Sequence, residues 1–217
     1  MKKLILLSIL LIFFSGCDDE SNPLNDILGT NITAKEKVAD VKIEARANFA
    51  SDAQLTGIFG RNVSSDGKVN LVDFSSVKGF IYMMQSESLE ENEFYMPVIA
   101  SDPVKLPFNL NDLLSFVQDQ ETKERLGGVF GLLSSVAISE SASYPDSDEA
   151  MVKFLNGGGQ AYLSANSGAK IDLFLVPSKS ITINGIENSA DWICNFYGGS
   201  TSLTLWLNSG TGIVTTF

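Results

Sequence analysis

Two periodicities alternate along this chain. Between Thr33 and Phe49, apolar residues fall at Ala34, Val38, Val41, Ala45 and Phe49, a recurrence of three or four that lines one face of an amphipathic helix. Thr33-Ala34-Lys35-Glu36 has the Thr-x-x-Glu form of a capping box, where a hydroxyl satisfies one free backbone N–H and a carboxylate another. The pattern predicts a helix over 33–49. Beyond it the period drops to two. Segments 54–59, 68–74, 79–84 and 93–99 are rich in branched and aromatic residues and read as strands. Ser64-Ser65-Asp66-Gly67 and the acidic run from Ser86 to Asn92 separate them; Asp66-Gly67 suits a turn with positive φ. Pro97 lacks a ladder donor and predicts an edge strand. Glu87, Glu90, Glu91 and Glu93 read as a solvated loop.

The second half repeats this plan. Pro145 precedes Asp146-Ser147-Asp148-Glu149, a second helix start, and Ala150, Met151, Phe154 and Leu155 supply an apolar face. Gly157-Gly158-Gly159 should break that helix, with one more turn over 160–165. Strands follow over 170–176, 180–186, 191–197, 202–207 and 213–216, with tight turns at Gly198-Gly199 and Asn208-Ser209-Gly210. One helix followed by an antiparallel meander occurs twice. The expected class is α+β, built from two such units over 33–105 and 145–217, either separate or packed as one two-lobed domain. Between them, 106–144 is mostly apolar. Leu110, Leu113, Leu114 and Val117 suggest a short helix, while 129–138 fits a helix or a strand. A flap, a partner-binding segment and plain core all fit this stretch, with core favoured.

The N-terminus changes the picture. Lys2 and Lys3 head an apolar run from Leu4 to Phe14, followed by Ser15-Gly16-Cys17. That is the layout of a secretory signal and is too short for a membrane span. Residues 14–17 resemble the lipobox of bacterial lipoproteins, with Phe14 where Leu is usual. The resemblance implies cleavage after Gly16, removal of residues 1–16, and diacylglycerol on Cys17. Several acyl chains, at about 0.8 kcal/mol per buried CH₂, anchor stably where one would not. Residues 17–32 are acidic and polar and read as a tether. Asp18-Asp19-Glu20 resembles two opposed sorting signals, inner-membrane retention and surface export; the outer membrane or cell surface is favoured.

Charge and composition then exclude whole classes. The formal net charge is −11, opposite to what a phosphate backbone requires; nucleic acid is not an expected partner. The chain has no histidine, which removes serine–histidine and cysteine–histidine dyads and most zinc sites. Of the two cysteines, Cys17 is assigned to lipid, so Cys194 has no disulfide partner and reads as a small apolar residue inside a strand. No cofactor is expected.

Ser147-Asp148-Glu149-Ala150, the glycine triplet, Trp192 in a strand, and Leu203-Thr204-Leu205-Trp206-Leu207-Asn208-Ser209-Gly210-Thr211-Gly212-Ile213-Val214 resemble a PepSY-like module. Asn208 stands where that family has Asp. Residues 145–217 carry the resemblance more clearly than 33–99, which lack the Thr-Gly ending. It implies a tandem, non-catalytic module of the cell envelope that holds or inhibits a peptidase or another envelope or extracellular protein or peptide. No catalytic residues come with it.

Two other patterns compete. Residues 62–73 resemble a dockerin calcium loop whose ligands would be Asn62, Ser64, Asp66, the Lys68 carbonyl, Asn70 and Asp73, making a calcium-dependent adhesion or scaffold protein. Asp66 and Asp73 are its only charged ligands and no second copy exists, so a hairpin turn explains the stretch more simply. Ser75 and Lys78 have the Ser-x-x-Lys spacing of penicillin-binding enzymes, and Ser164-Ala165-Asn166 could pose as their second motif, but no Lys-Thr/Ser-Gly appears. An unrecognised hydrolase is the remaining alternative. Asp146 and Asp148 fit a helix cap. The expectation is a lipid-anchored binding module that is not an enzyme.

Overall fold

The computed structural model describes residues 31–69, 79–90, 92–99, 102–103, 136–178, 189–198 and 201–216. The signal segment with Cys17, Asn70, Asp73, the Ser75/Lys78 pair, the strand expected over 180–186 and most of 106–144 lie outside them.

The fold is α+β. Helix α1 (Val38–Asn48) precedes strands β1 (Gln54–Arg61), β2 (Gly79–Gln85), β3 (Glu93–Ile99) and the two-residue β4 (Asp102–Pro103). Helix α2 (Ser147–Phe154) runs through a π-helical turn (Leu155–Gly159) into α3 (Gln160–Ala165). Strands β5 (Lys170–Pro177), β6 (Ala190–Tyr197), β7 (Leu203–Asn208) and β8 (Ile213–Thr216) follow. All eight strands form one sheet in the order β4-β3-β2-β1-β5-β6-β7-β8, and every pairing is antiparallel.

This corrects the picture of two units each with its own sheet. β1 pairs with β5, Phe59 opposite Phe174, so the first strands of the two meanders meet at the centre. The reason lies in their side chains: Leu55 to Gly60 and Ile171 to Pro177 are buried without interruption. A strand apolar on both faces needs cover above and below and neighbours on both sides, and placing the two together supplies the neighbours.

The helices share one face of this sheet. Val41 and Ala45 of α1 and Ala150, Met151 and Phe154 of α2 enter a single core with Leu55, Tyr82, Leu173 and Trp192. Ala34, Val38 and Phe49 complete the expected stripe. The helix itself begins at Val38 rather than Thr33, because the capping box is only half used. Glu36 accepts from the Thr33 N–H, but the Thr33 hydroxyl donates to Asp146 at 2.7 Å. Asp146 caps α2, whose capping box with Glu149 is complete, and also accepts from the Lys35 N–H at 3.0 Å. Ser147 accepts from the Ala34 N–H at 3.0 Å. The starts of the two helical segments are thus tied to each other across the molecule. A cap of this kind contributes about 1 kcal/mol.

The glycine triplet breaks the second helix as its composition predicts: α2 ends at Phe154 and a further stretch of helix, α3, follows over Gln160–Ala165. Gly158 takes φ of +126°, a conformation that glycine alone adopts without strain. Next to it, a Cβ on Gly159 would lie 2.4 Å from the Phe196 ring. Glycine here lets the helix lie directly on the sheet.

Candidate functional site

Side chains along a strand alternate between faces, so half of this sheet points away from the helices. A bulge between Leu55 and Gly57 keeps Leu55 and Ile58 both on the helix side. Register then arranges the opposite face in rows. Ile81, Phe59, Phe174, Ile193, Trp206 and Thr215 stand side by side across β2, β1, β5, β6, β7 and β8. The Phe59 and Phe174 rings stack at 4.8 Å. Phe59, Phe174 and Ile193 are buried, yet they do not belong to the core under the helices.

The next row is polar. Asp172 lies opposite Asn195, and Asn195 opposite Thr204. Arg61 stands on β1 one step beyond the last β1–β5 pair, Gly60 with Leu173, which sets it beside Asp172. Lys170 and Tyr197 pair one place further along the same face. Thr204 donates to the Asn195 side-chain oxygen at 3.2 Å.

Asp172 is the centre of this row, with only 1% of its surface exposed. Its Oδ1 accepts from the Asn62 backbone N–H at 3.0 Å and from the Tyr197 hydroxyl at 3.3 Å. Asn62 presents that N–H from φ of +50°, a region asparagine enters more readily than most residues. The other carboxylate oxygen, Oδ2, is buried with no hydrogen-bond partner, and so is the Nε of Arg61. Burial pushes the Asp172 carboxyl up to about 6, against the opposing effects of the Asn62 N–H, the Arg61 charge, the Tyr197 hydroxyl and Lys170.

Asp191 on the same face shows what a satisfied carboxylate looks like. It is as buried as Asp172, but one oxygen accepts from Trp206 Nε1 at 3.2 Å and the other from the Ser209 N–H at 2.8 Å. An orphaned buried acceptor costs on the order of 1–3 kcal/mol, and the same row also holds an orphaned donor, Arg61 Nε.

The residues singled out from sequence fall elsewhere. Around Asp66 the chain makes a closed turn: Ser64 N–H donates to the Lys68 carbonyl at 2.9 Å, Gly67 N–H to the Ser64 carbonyl at 2.9 Å, and Lys68 N–H to the Asp66 carboxylate at 3.1 Å. Gly67 has φ of +80°, and a Cβ there would meet Ser147 O and Asp148 Cα at 2.4 Å, so the turn seats against the start of α2. Asn62 serves Asp172 through its backbone. Among the described residues no group of three or more His, Cys, Asp or Glu could hold a metal ion.

Ser164 donates to the Gln160 carbonyl and Asn166 to the Tyr162 carbonyl, both local helix bonds. Glu87 and Glu90 are exposed, in a loop gathered by Asp52, which accepts from Ser86, Ser88 and the Glu87 N–H. Those hydroxyls lower the Asp52 carboxyl to about 2. Cys194 is fully buried on the helix side, and burial, then the neighbouring Asp172 charge, raises its thiol well above the usual range. It remains a thiol at neutral pH.

Arg61, Asp172 and Tyr197 were not singled out by sequence reasoning. The available signal was one acidic residue inside Ile171-Asp172-Leu173-Phe174-Leu175-Val176, a run whose apolar length already points to a strand covered on both faces. Among the described residues no helix is long and apolar enough to cross a membrane. No protein-family model, curated protein or solved structure matches this chain.

Proposed function

We propose that this chain is a non-catalytic, lipid-anchored binding module of the cell envelope that engages another envelope protein or peptide. The observation that carries this reading is the row Arg61–Asp172–Asn195–Thr204, which holds a buried carboxylate oxygen and a buried guanidinium nitrogen without hydrogen-bond partners. A fold tolerates such a cost where it serves recognition. The half-buried Trp206 lies in the adjoining row, and aromatic side chains with a polar edge are frequent anchors of protein interfaces. The anchor is the lipid on Cys17, and the PepSY-like resemblance makes a peptidase the first partner to examine.

Two experiments test this. A photo-crosslinking amino acid replaces Trp206 in one strain and the exposed Ile43 of α1 in another. A discrete protein adduct from position 206 and none from 43 supports the reading, especially if Asp172→Asn with Arg61→Gln abolishes it; identical adducts from both positions would sink it. Separately, Cys17→Ser should abolish palmitate labelling and leave an unprocessed precursor. Undiminished labelling of that variant refutes the anchor.

A further inference from the structure

The two edges of the sheet are guarded unequally. At one edge β4 is two residues long and contains Pro103, and β3 carries Pro97 next to the pair it forms with β4. Short strands and proline are standard ways of blocking edge-to-edge pairing. At the other edge stands β8, Ile213-Val214-Thr215-Thr216. It has no charge, no proline and four β-branched residues in a row, the composition that best fits a strand. It pairs with β7 through Asn208 to Leu205 and lies last in the sheet order. Ile213 is 59% exposed, and Thr215 and Thr216 are exposed as well.

We infer that β8 is a strand-addition site for an extended, neutral-to-basic peptide segment of a partner protein. This rests on the binding-module reading above and names the partner's chemistry. A β-strand of an incoming chain would complete the ladder by main-chain hydrogen bonds, with alternate side chains setting selectivity. On the face away from the helices, a side chain opposite Thr215 extends the row of Trp206, which favours an aromatic or branched residue there. On the helix face, Val214 lies so near Gly157 that a Cβ on that glycine would come within 2.7 Å of it. A small side chain fits best beside it.

A second copy of this chain is a poorer occupant. A net charge of −11 opposes self-association. The same acidity repels acidic segments and attracts basic ones.

The test is to pan a phage-displayed library of random linear nonapeptides against the full chain. Selected peptides should alternate branched or aromatic residues with polar ones and carry zero or positive charge. Each should slow amide hydrogen exchange at Ile213–Thr216 at least tenfold and lose at least tenfold in affinity for Thr215→Pro. Should that variant misfold, Thr215→Glu, which keeps the backbone donor but adds repulsion, takes its place with the same loss expected. Peptides that protect other strands, ignore both variants or are acidic overturn the inference, as does a library that yields no binder. A dimer seen by sedimentation and abolished by Thr215→Glu reassigns the edge to a second copy and also overturns it. If the edge fails while the Trp206 adduct persists, the binding-module reading stands alone; if the adduct is absent too, both fall.

Discussion

On the helix side of the sheet, the polar atoms among the apolar ones find partners. The Tyr82 hydroxyl donates to the Ala34 carbonyl at 2.8 Å, and Trp192 Nε1 to the Pro145 carbonyl at 2.9 Å. On the opposite side, Phe59, Phe174 and Ile193 are equally buried, but the row beside them holds Arg61 Nε and Asp172 Oδ2 without partners. Equal burial therefore does not mean equal satisfaction. The helix side satisfies the polar atoms it buries, and the other side keeps a desolvation cost.

The largest effect should come from cutting each face at its centre. Phe154→Ala removes a fully buried ring under α2 and should destabilise the fold by about 3–5 kcal/mol, enough to unfold a marginal domain. Phe174→Ala should cost a similar amount, since that ring is as buried and stacks on Phe59. Urea denaturation reads both. A cost below about 1 kcal/mol at Phe174 would mean the second face is core in area only.

Next comes Asp172→Asn, where the sign follows from titration. In the unfolded chain this carboxyl has its ordinary value of 3.8, and in the fold about 6. Below pH 3.8 both states hold the proton and the group costs nothing. From 3.8 to 6 the unfolded state ionises first, so stability falls as pH rises; above about 6 the whole cost remains. The gap converts to roughly 3 kcal/mol as an upper bound. Asparagine at 172 should therefore stabilise the protein by about 1–3 kcal/mol at pH 8 and leave it unchanged at pH 3.5. Loss of stability at pH 8 would show that the ionised carboxylate is a supporting contact.

A smaller effect is expected at the helix starts. Asp146→Ala removes the cap of α2 together with the bonds from Thr33 and Lys35, and should cost about 1–2 kcal/mol in thermal or urea unfolding. A cost within error would mean that the link between the helix starts adds nothing to the shared core and the β1–β5 pairing.

Much of the fold was legible beforehand because it follows from short-range pattern. The stripe from Ala34 to Phe49, the capping box at Asp146 and Glu149, and the strands around residues 79–85, 93–99, 170–177 and 190–197 need only local periodicity and turn chemistry. The glycine triplet was legible as a break followed by one more turn over 160–165, but the close approach of Phe196 to Gly159 exists only in the folded sheet. The polar row was not legible, since its members come from β1, β5, β6 and β7 and acquire meaning only by register.

By itself, then, the sequence determined most of the segments that are helices and strands, the α+β class, the strong acidity of the chain, and Cys194 as a small apolar residue inside a strand. Only the tertiary structure decided that β1 lies against β5, merging two meanders into one sheet, and that Arg61 stands beside Asp172 with Trp206 in the next row. Local preferences act over a few residues of chain, whereas strand order and register are set by which apolar faces can be covered together. That constraint exists only once the whole sheet has formed.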